Sequence, residues 1–183
     1  MKKLIKVWLV LMVAGVFTAG CVYVIGQQIV RQSANGPAAA IAYQTAMDLD
    51  AGMTPDEATA QKTNIFFTLD PFVMIYDNNK NLVATSAGSG NDAKVYHVPA
   101  SVLDSVDENH DNRVTWQPQT GLRYATVAIK YDGGYVVGAV SLKEPERLIG
   151  NITTTLFIGS AAYAVGCALV LLIVYFVKVR GRP

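Results

Sequence analysis

The sequence predicts an α+β fold: helices first, then a five-stranded antiparallel sheet, the whole set between two transmembrane helices. Three observations carry this expectation. Hydrophobic residues make up 51% of the 183-residue chain and concentrate in two long runs, Leu4 to Gly26 and Leu156 to Val177. Between the runs, apolar residues recur first at helical spacing and then at alternate positions. Gly, Pro, Asn and Asp punctuate the alternating part at short intervals, as hairpin turns require.

The first run carries no charge after Lys6 and the second carries none at all. Each is about as long as the roughly 20 helical residues that cross a hydrocarbon core. Lys2, Lys3 and Lys6 precede the first run, and Lys178, Arg180 and Arg182 follow the second. The other nine basic residues and all fourteen acidic ones lie between, so the middle is mildly acidic and both tails are basic. Basic residues stay on the cytoplasmic side, so both termini are expected in the cytoplasm and the middle outside the cytoplasmic membrane. An acidic middle also argues against nucleic acid as a partner.

The expected organisation is a cytoplasmic tail and first span at 1–26, an extracytoplasmic domain at 27–150, a second span at 151–178 and a short cytoplasmic tail at 179–183. A rival reading takes "TAGC" at 18–21 as a lipoprotein processing site with Cys21 lipidated. Against it, Thr18 suits the position three before the cysteine poorly. "VYVIG" also continues the apolar run well past the ~7–15 residues of a signal core. Cys21 and Cys167 both fall in the apolar runs, so the exterior domain has no thiol and must hold together by packing.

Within the exterior segment, Pro37 at a first helical position and Gly52 just past the end suggest a helix over 37–50. "TPDE" then places Thr54 as a cap, Pro55 at the first turn and Glu57 three residues after the cap, a capping box. That second helix is expected to run to about Thr68 and to end before Pro71. "FVMIYDNNKNLVATSAG" at 72–88 reads as strand, polar turn and strand, and a short helix is expected from about Pro99. "RVTWQ" and "LRYATVAIKY" follow, joined by "PQTG" as a type I turn, and "DGG" joins the latter to "YVVGAVSL".

This order of elements, with the "YDNNKN" hairpin and the closing "GYVVGAVSLKEPERL" strand, resembles the extracytoplasmic PAS-like sensor domains called Cache or PDC. The resemblance covers about residues 27–150 and rests on architecture. It implies a small-molecule receptor with its pocket on one sheet face and a long helix on the other. Family members usually continue into a signalling output, whereas only "KVRGRP" follows the second span here. A partner signalling protein, a homodimer, or a continuation beginning with a HAMP-type linker is therefore expected to take the signal. The competing class is a non-signalling interaction or assembly module of an envelope complex.

Pairing across "PQTG" is expected to set Trp116 opposite Arg123. One face would then carry Val114, Ala125, Val127, Ile129, Val136, Val140 and Leu142 against the helices. The other would carry Arg113, Thr115, Gln117, Tyr124, Thr126, Lys130, Tyr135 and Ser141. The mixed face suits a small organic acid or amino acid: Arg113 grips a carboxylate, Thr115, Tyr124 and Thr126 line the wall, and Tyr96 and His97 close over it. The plain alternative is a half-wet antiparallel face. Arg123 is expected to stack on Trp116.

Other candidates read as structural. Asp77, Asn79 and Asn81, and likewise Asp107, Asn109 and Asp111, alternate as calcium-loop oxygens do. Both sets lack the glycine at position six and the Glu at position twelve, so turn chemistry is the expected role. No zinc spacing, nucleophile triad or carboxylate pair stands out. Ser86, Ser89 and Ser101 sit in turn or cap contexts, and "GSG" at 88–90 is too short to cradle a phosphate. No enzyme activity and no cofactor is expected. Gly15 with Ala19, and Ala162 with Gly166, allow close helix approach, either between the two spans or between subunits.

Overall fold

The computed structural model describes residues 2–88 and 96–180. The "GSG" candidate lies partly, and Ser89 wholly, outside the described residues. The chain divides into two compact units, residues 1–30 with 147–183, and residues 31–146.

The first unit holds the two apolar helical stretches, which belong to α1 (Lys2–Asp50) and α4 (Lys143–Arg180). Both are long and apolar enough to cross a membrane. They meet at Gly15, where an added Cβ would stand 2.5 Å from the Tyr163 ring. The Tyr163 hydroxyl donates to the Leu11 carbonyl at 3.1 Å, which satisfies a polar group in an apolar setting. Of the small pairs noted in the sequence, Gly15 makes the close approach, while Gly166 faces open space.

The second unit is mixed helix and sheet. After α1 come α2 (Pro55–Ala58), β1 (Thr63–Asn64), β2 (Phe72–Asp77), β3 (Leu82–Thr85), β4 (Ala87–Gly88), α3 (Ala100–Asn109), β5 (Asp111–Gln119), β6 (Leu122–Tyr131) and β7 (Gly134–Ser141). The five-stranded antiparallel sheet has the order β3-β2-β7-β6-β5, and β1 pairs separately with β4 in parallel. The β2–β3 hairpin and the β5–β6–β7 meander thus join through β2 and β7, the two strands most deeply buried.

One sheet face packs on α1. Ala34, Ala38, Ala42 and Ala46 recur every fourth residue and are all buried, with Thr45 and Leu49 beside them. Ala38, Ala42, Ala46 and Leu49 meet Ile75, Val127, Ile129 and Val136, and Ala34 meets Ala125 and Leu142. The opposite face is aromatic: Phe72, Met74, Tyr76, Trp116, Tyr124 and Tyr135 lie under Ile65, Tyr96, Val98, Leu103 and Val106.

Three expectations are corrected. The helix placed at 37–50 is the end of the continuous 49-residue α1, with Pro37 inside it. Proline removes one helical hydrogen bond, but Ala34 and Ala38, on either side of it, are both buried against the sheet, and that packing rewards continuation. The helix placed at 54–68 has its capping box, with the Thr54 amide donating to Glu57 Oε2 at 2.9 Å, but it ends at Ala58. Thr63 then pairs with Ala87, and Ile65 is drawn onto the aromatic face, where burial outweighs the helical spacing.

The third correction is one of register. Trp116 pairs with Tyr124, not Arg123, and the register shifts between Trp116 and Gln119. Gln117 and Pro118 together oppose Arg123 across this bulge, which lets the strand pass a residue that cannot donate to the ladder. The turn shrinks to Thr120-Gly121, with Gly121 at φ +85°. By contrast Tyr131 pairs with Gly134 around Asp132-Gly133, and the faces of β6 and β7 are as the alternation implies.

Candidate functional site

The register divides the expected binding face. Arg113 lies opposite Val127 and Thr115 opposite Ala125, so both point to the α1 side, at the edge strand. Arg113 is exposed and pairs with Asp111, Nη2 to Oδ2 at 2.9 Å. Tyr124 and Thr126 lie on the aromatic side, 1% and 0% exposed. Tyr96 joins them there, while His97 is exposed. Arg113 and Thr115 are therefore not brought together with Tyr124 and Thr126, because one bulge residue inverts β5 relative to β6.

The aromatic face is also filled from within. Leu103 and Val106 of α3 and Val98 before it occupy the space a ligand would take. Its polar tips have partners: the Tyr124 hydroxyl donates to the Ile65 carbonyl at 2.6 Å, and Thr126 Oγ1 to the Val114 carbonyl at 2.9 Å. The Tyr96 hydroxyl donates to Gln119 Oε1 at 3.1 Å, and the Tyr76 hydroxyl accepts from the Val98 amide at 3.0 Å. Burial pushes the Tyr76 and Tyr124 phenols up to about 12, so both stay neutral.

A charged cluster fastens α3 to the sheet. Asp107 accepts from Lys130 at 2.9 Å and from the Tyr135 hydroxyl at 2.8 and 2.9 Å, and Lys80 reaches both Asp104 and Asp107. The Lys130 bond, then those from Tyr135 and Lys80, hold the Asp107 carboxyl down at about 2. The alternating oxygens of 107–111 thus diverge, since Asn109 donates to the Ser105 carbonyl and Asp111 serves Arg113. In the other set, Asp77 accepts from the Asn81 amide at 2.8 Å, the turn role expected of it. Among the described residues no group of three or more His, Cys, Asp or Glu side chains is placed to hold a metal.

A partly enclosed, polar-lined space lies elsewhere, where β7 becomes α4. A cavity of about 150 Å³ is bounded by residues 65–69, by Gly121 to Arg123 at the start of β6, and by Ser141, Lys143 and Glu146 at the joint. Leu142 alone separates β7 from α4, and its amide donates to the Arg123 carbonyl at 2.8 Å. Across the cavity Arg123 Nη1 grips Glu146 Oε1, with both side chains nearly half exposed. Phe66, Leu69 and Leu122 supply apolar wall, and Ser141 Oγ accepts from the Lys143 amide at 3.3 Å.

Sequence reasoning missed this pair because it assigned Arg123 to Trp116, which instead packs on Tyr124 with ring centroids 5.8 Å apart. A usable signal was present. The "DGG" hairpin sets residue 142 beside residue 123, and Glu146 is one helical turn beyond residue 142. Comparison with protein-family models, with curated proteins and with solved structures returns no match for this chain.

Proposed function

We propose that the chain is a two-span protein of the cytoplasmic membrane whose central domain is an extracytoplasmic small-molecule sensing module of PAS-like, Cache/PDC-type build. Both tails are cytoplasmic in this reading, and the state of the domain passes along α4 to a partner signalling protein or a second copy. The order of hairpin, connecting helix and three-strand meander, with a long helix on one face, supports the PAS-like build. The observation that carries the function is the joint. The last strand runs into α4 through one residue, and the Arg123–Glu146 ion pair ties the first turn of that helix to the sheet beside a cavity. A ligand moves a helix only by its differential affinity for two arrangements, and here it would act on the attachment itself.

A second reading, an assembly module with no ligand, is favoured by one observation: the aromatic face is filled and its hydroxyls are engaged by the chain itself. The two are separated by screening the full chain in lipid nanodiscs against small carboxylates, amino acids and amines. Amide exchange across residues 142–148 is followed beside thermal stability. A compound that stabilises the protein and alters exchange there supports sensing. Absence of any such compound supports assembly.

A further inference from the structure

We propose that the cavity at the β7–α4 joint binds a small zwitterion, an amino-carboxylate, by opening the Arg123–Glu146 pair and satisfying each partner. The inference rests on the sensing reading for its consequence but on the cavity's own chemistry for its ligand. Arg123 offers a planar fork of donors that matches a carboxylate, and Glu146 offers a carboxylate that matches an ammonium. In the resting protein each serves as the other's ligand, with Nη1 on Oε1.

A ligand bearing one charge of each sign replaces both halves of that pair, so neither group is left unmatched. A simple carboxylate would engage Arg123 and leave Glu146 facing a like charge, and a simple amine would do the reverse. Either gives up one charge-assisted contact for the one it makes, whereas the zwitterion makes two. Lys143 at the rim adds to the pull on a carboxylate.

Size and wall chemistry narrow the class. A volume of about 150 Å³ is roughly five times a water's share of the liquid, enough for a molecule of six to ten heavy atoms. Phe66, Leu69 and Leu122 line the apolar side, and Phe67 at the rim is 87% exposed, a ring on which a short aliphatic chain can lie. A zwitterion with a small apolar side chain fits this better than glycine. Splitting the pair puts the ligand between Arg123 and Glu146, which belongs to the first turn of α4, so the chemistry of binding and the displacement of the helix from the sheet are one event.

The test uses the full chain in nanodiscs, titrated with glycine, alanine, leucine and β-alanine beside acetate and ethylamine. Binding is read by calorimetry and amide exchange. At least one amino-carboxylate is expected to bind more tightly than both singly charged compounds. Its affinity is expected to fall about tenfold or more in Arg123→Gln and again in Glu146→Gln, the loss associated with one charge-assisted hydrogen bond. Arg113→Gln, at an exposed pair elsewhere on the sheet, is expected to change nothing.

If no amino-carboxylate binds at concentrations up to about 10 mM, or if one binds with an affinity that ignores both variants, the site is overturned. Binding that depends on Arg123 and Glu146 without altered exchange at residues 142–148 keeps the site and overturns sensing. Altered exchange caused by a ligand indifferent to both variants keeps sensing and overturns the site.

Discussion

A Cβ placed on Gly138 would stand 2.1 Å from the carbonyl oxygen of Ala38, so the backbone of α1 lies directly on the backbone of β7. Only a residue without a side chain permits this approach, and the buried alanines at 34, 38, 42 and 46 keep that part of α1 close to the sheet. Gly138→Ala should therefore force helix and sheet apart. The expected loss is about 1–3 kcal/mol, toward the upper end because the obstacle is backbone, measured by urea unfolding of the fragment 31–146. An unchanged midpoint would mean that the helix does not rest on the sheet here.

Tyr124 is the second test of packing. Its hydroxyl donates to the Ile65 carbonyl at 2.6 Å, and that bond anchors the loop that walls the cavity. Tyr124→Phe keeps the ring contacts with Phe72 and Trp116 and leaves the carbonyl unmatched. A loss of about 1–2 kcal/mol is expected, with faster amide exchange at residues 65–68. Full stability in the variant would show that the loop is held by other means.

Asp107 sets an acid limit on the domain. Its carboxyl is held at about 2, below the ordinary 3.8, first by Lys130 and then by Tyr135. A depressed carboxylate contributes stability that is complete above its unfolded value and lost as pH falls through its folded value. The window therefore runs from about pH 4 down to about pH 2. Asp107→Asn should lower the melting temperature at neutral pH, and the difference from the parent should shrink across that window. A difference that persists undiminished at the acid end would mean the loss is one of shape rather than charge.

Topology is tested by labelling. With Cys21 and Cys167 replaced by serine, a cysteine at Asn79, exposed in the β2–β3 turn, should react with a membrane-impermeant reagent in intact cells. One at Lys178 should react only after permeabilisation. The basis is the basic composition of both tails. The opposite pattern would invert the orientation.

Much of the fold was legible because it is local. The alternation of β6 and β7 and the Thr54–Glu57 capping box each follow from residues within a few positions of one another, and the structure has both; "DGG" marks the last hairpin, whose turn the pairing centres on Asp132-Gly133. The α1 and α2 boundaries were not legible in this way, because the alanines around the exposed Pro37 and Ile65 in the 59–68 segment answer to burial against distant strands, which overrides spacing. The candidate binding face is divided by one bulge. Pro118 was read as a turn residue, yet β5 carries it within the strand, and a single extra residue sends Arg113 and Thr115 to the other side. The Arg123–Glu146 pair depends on β6, β7 and α4 together, and only the register of the last hairpin could have pointed to it.

The central claim is that Arg123 holds the first turn of α4 to the sheet and so governs its freedom. Amide exchange of the full chain in nanodiscs, parent beside Arg123→Gln, tests it without requiring a ligand. The account predicts faster exchange at Glu146 to Leu148 in the variant, with the amides of Ala125 to Ile129 in β6 as protected as before. Equal exchange at the start of α4 in both proteins would show that the ion pair restrains nothing, and the joint would then be a rigid connection rather than a point of control.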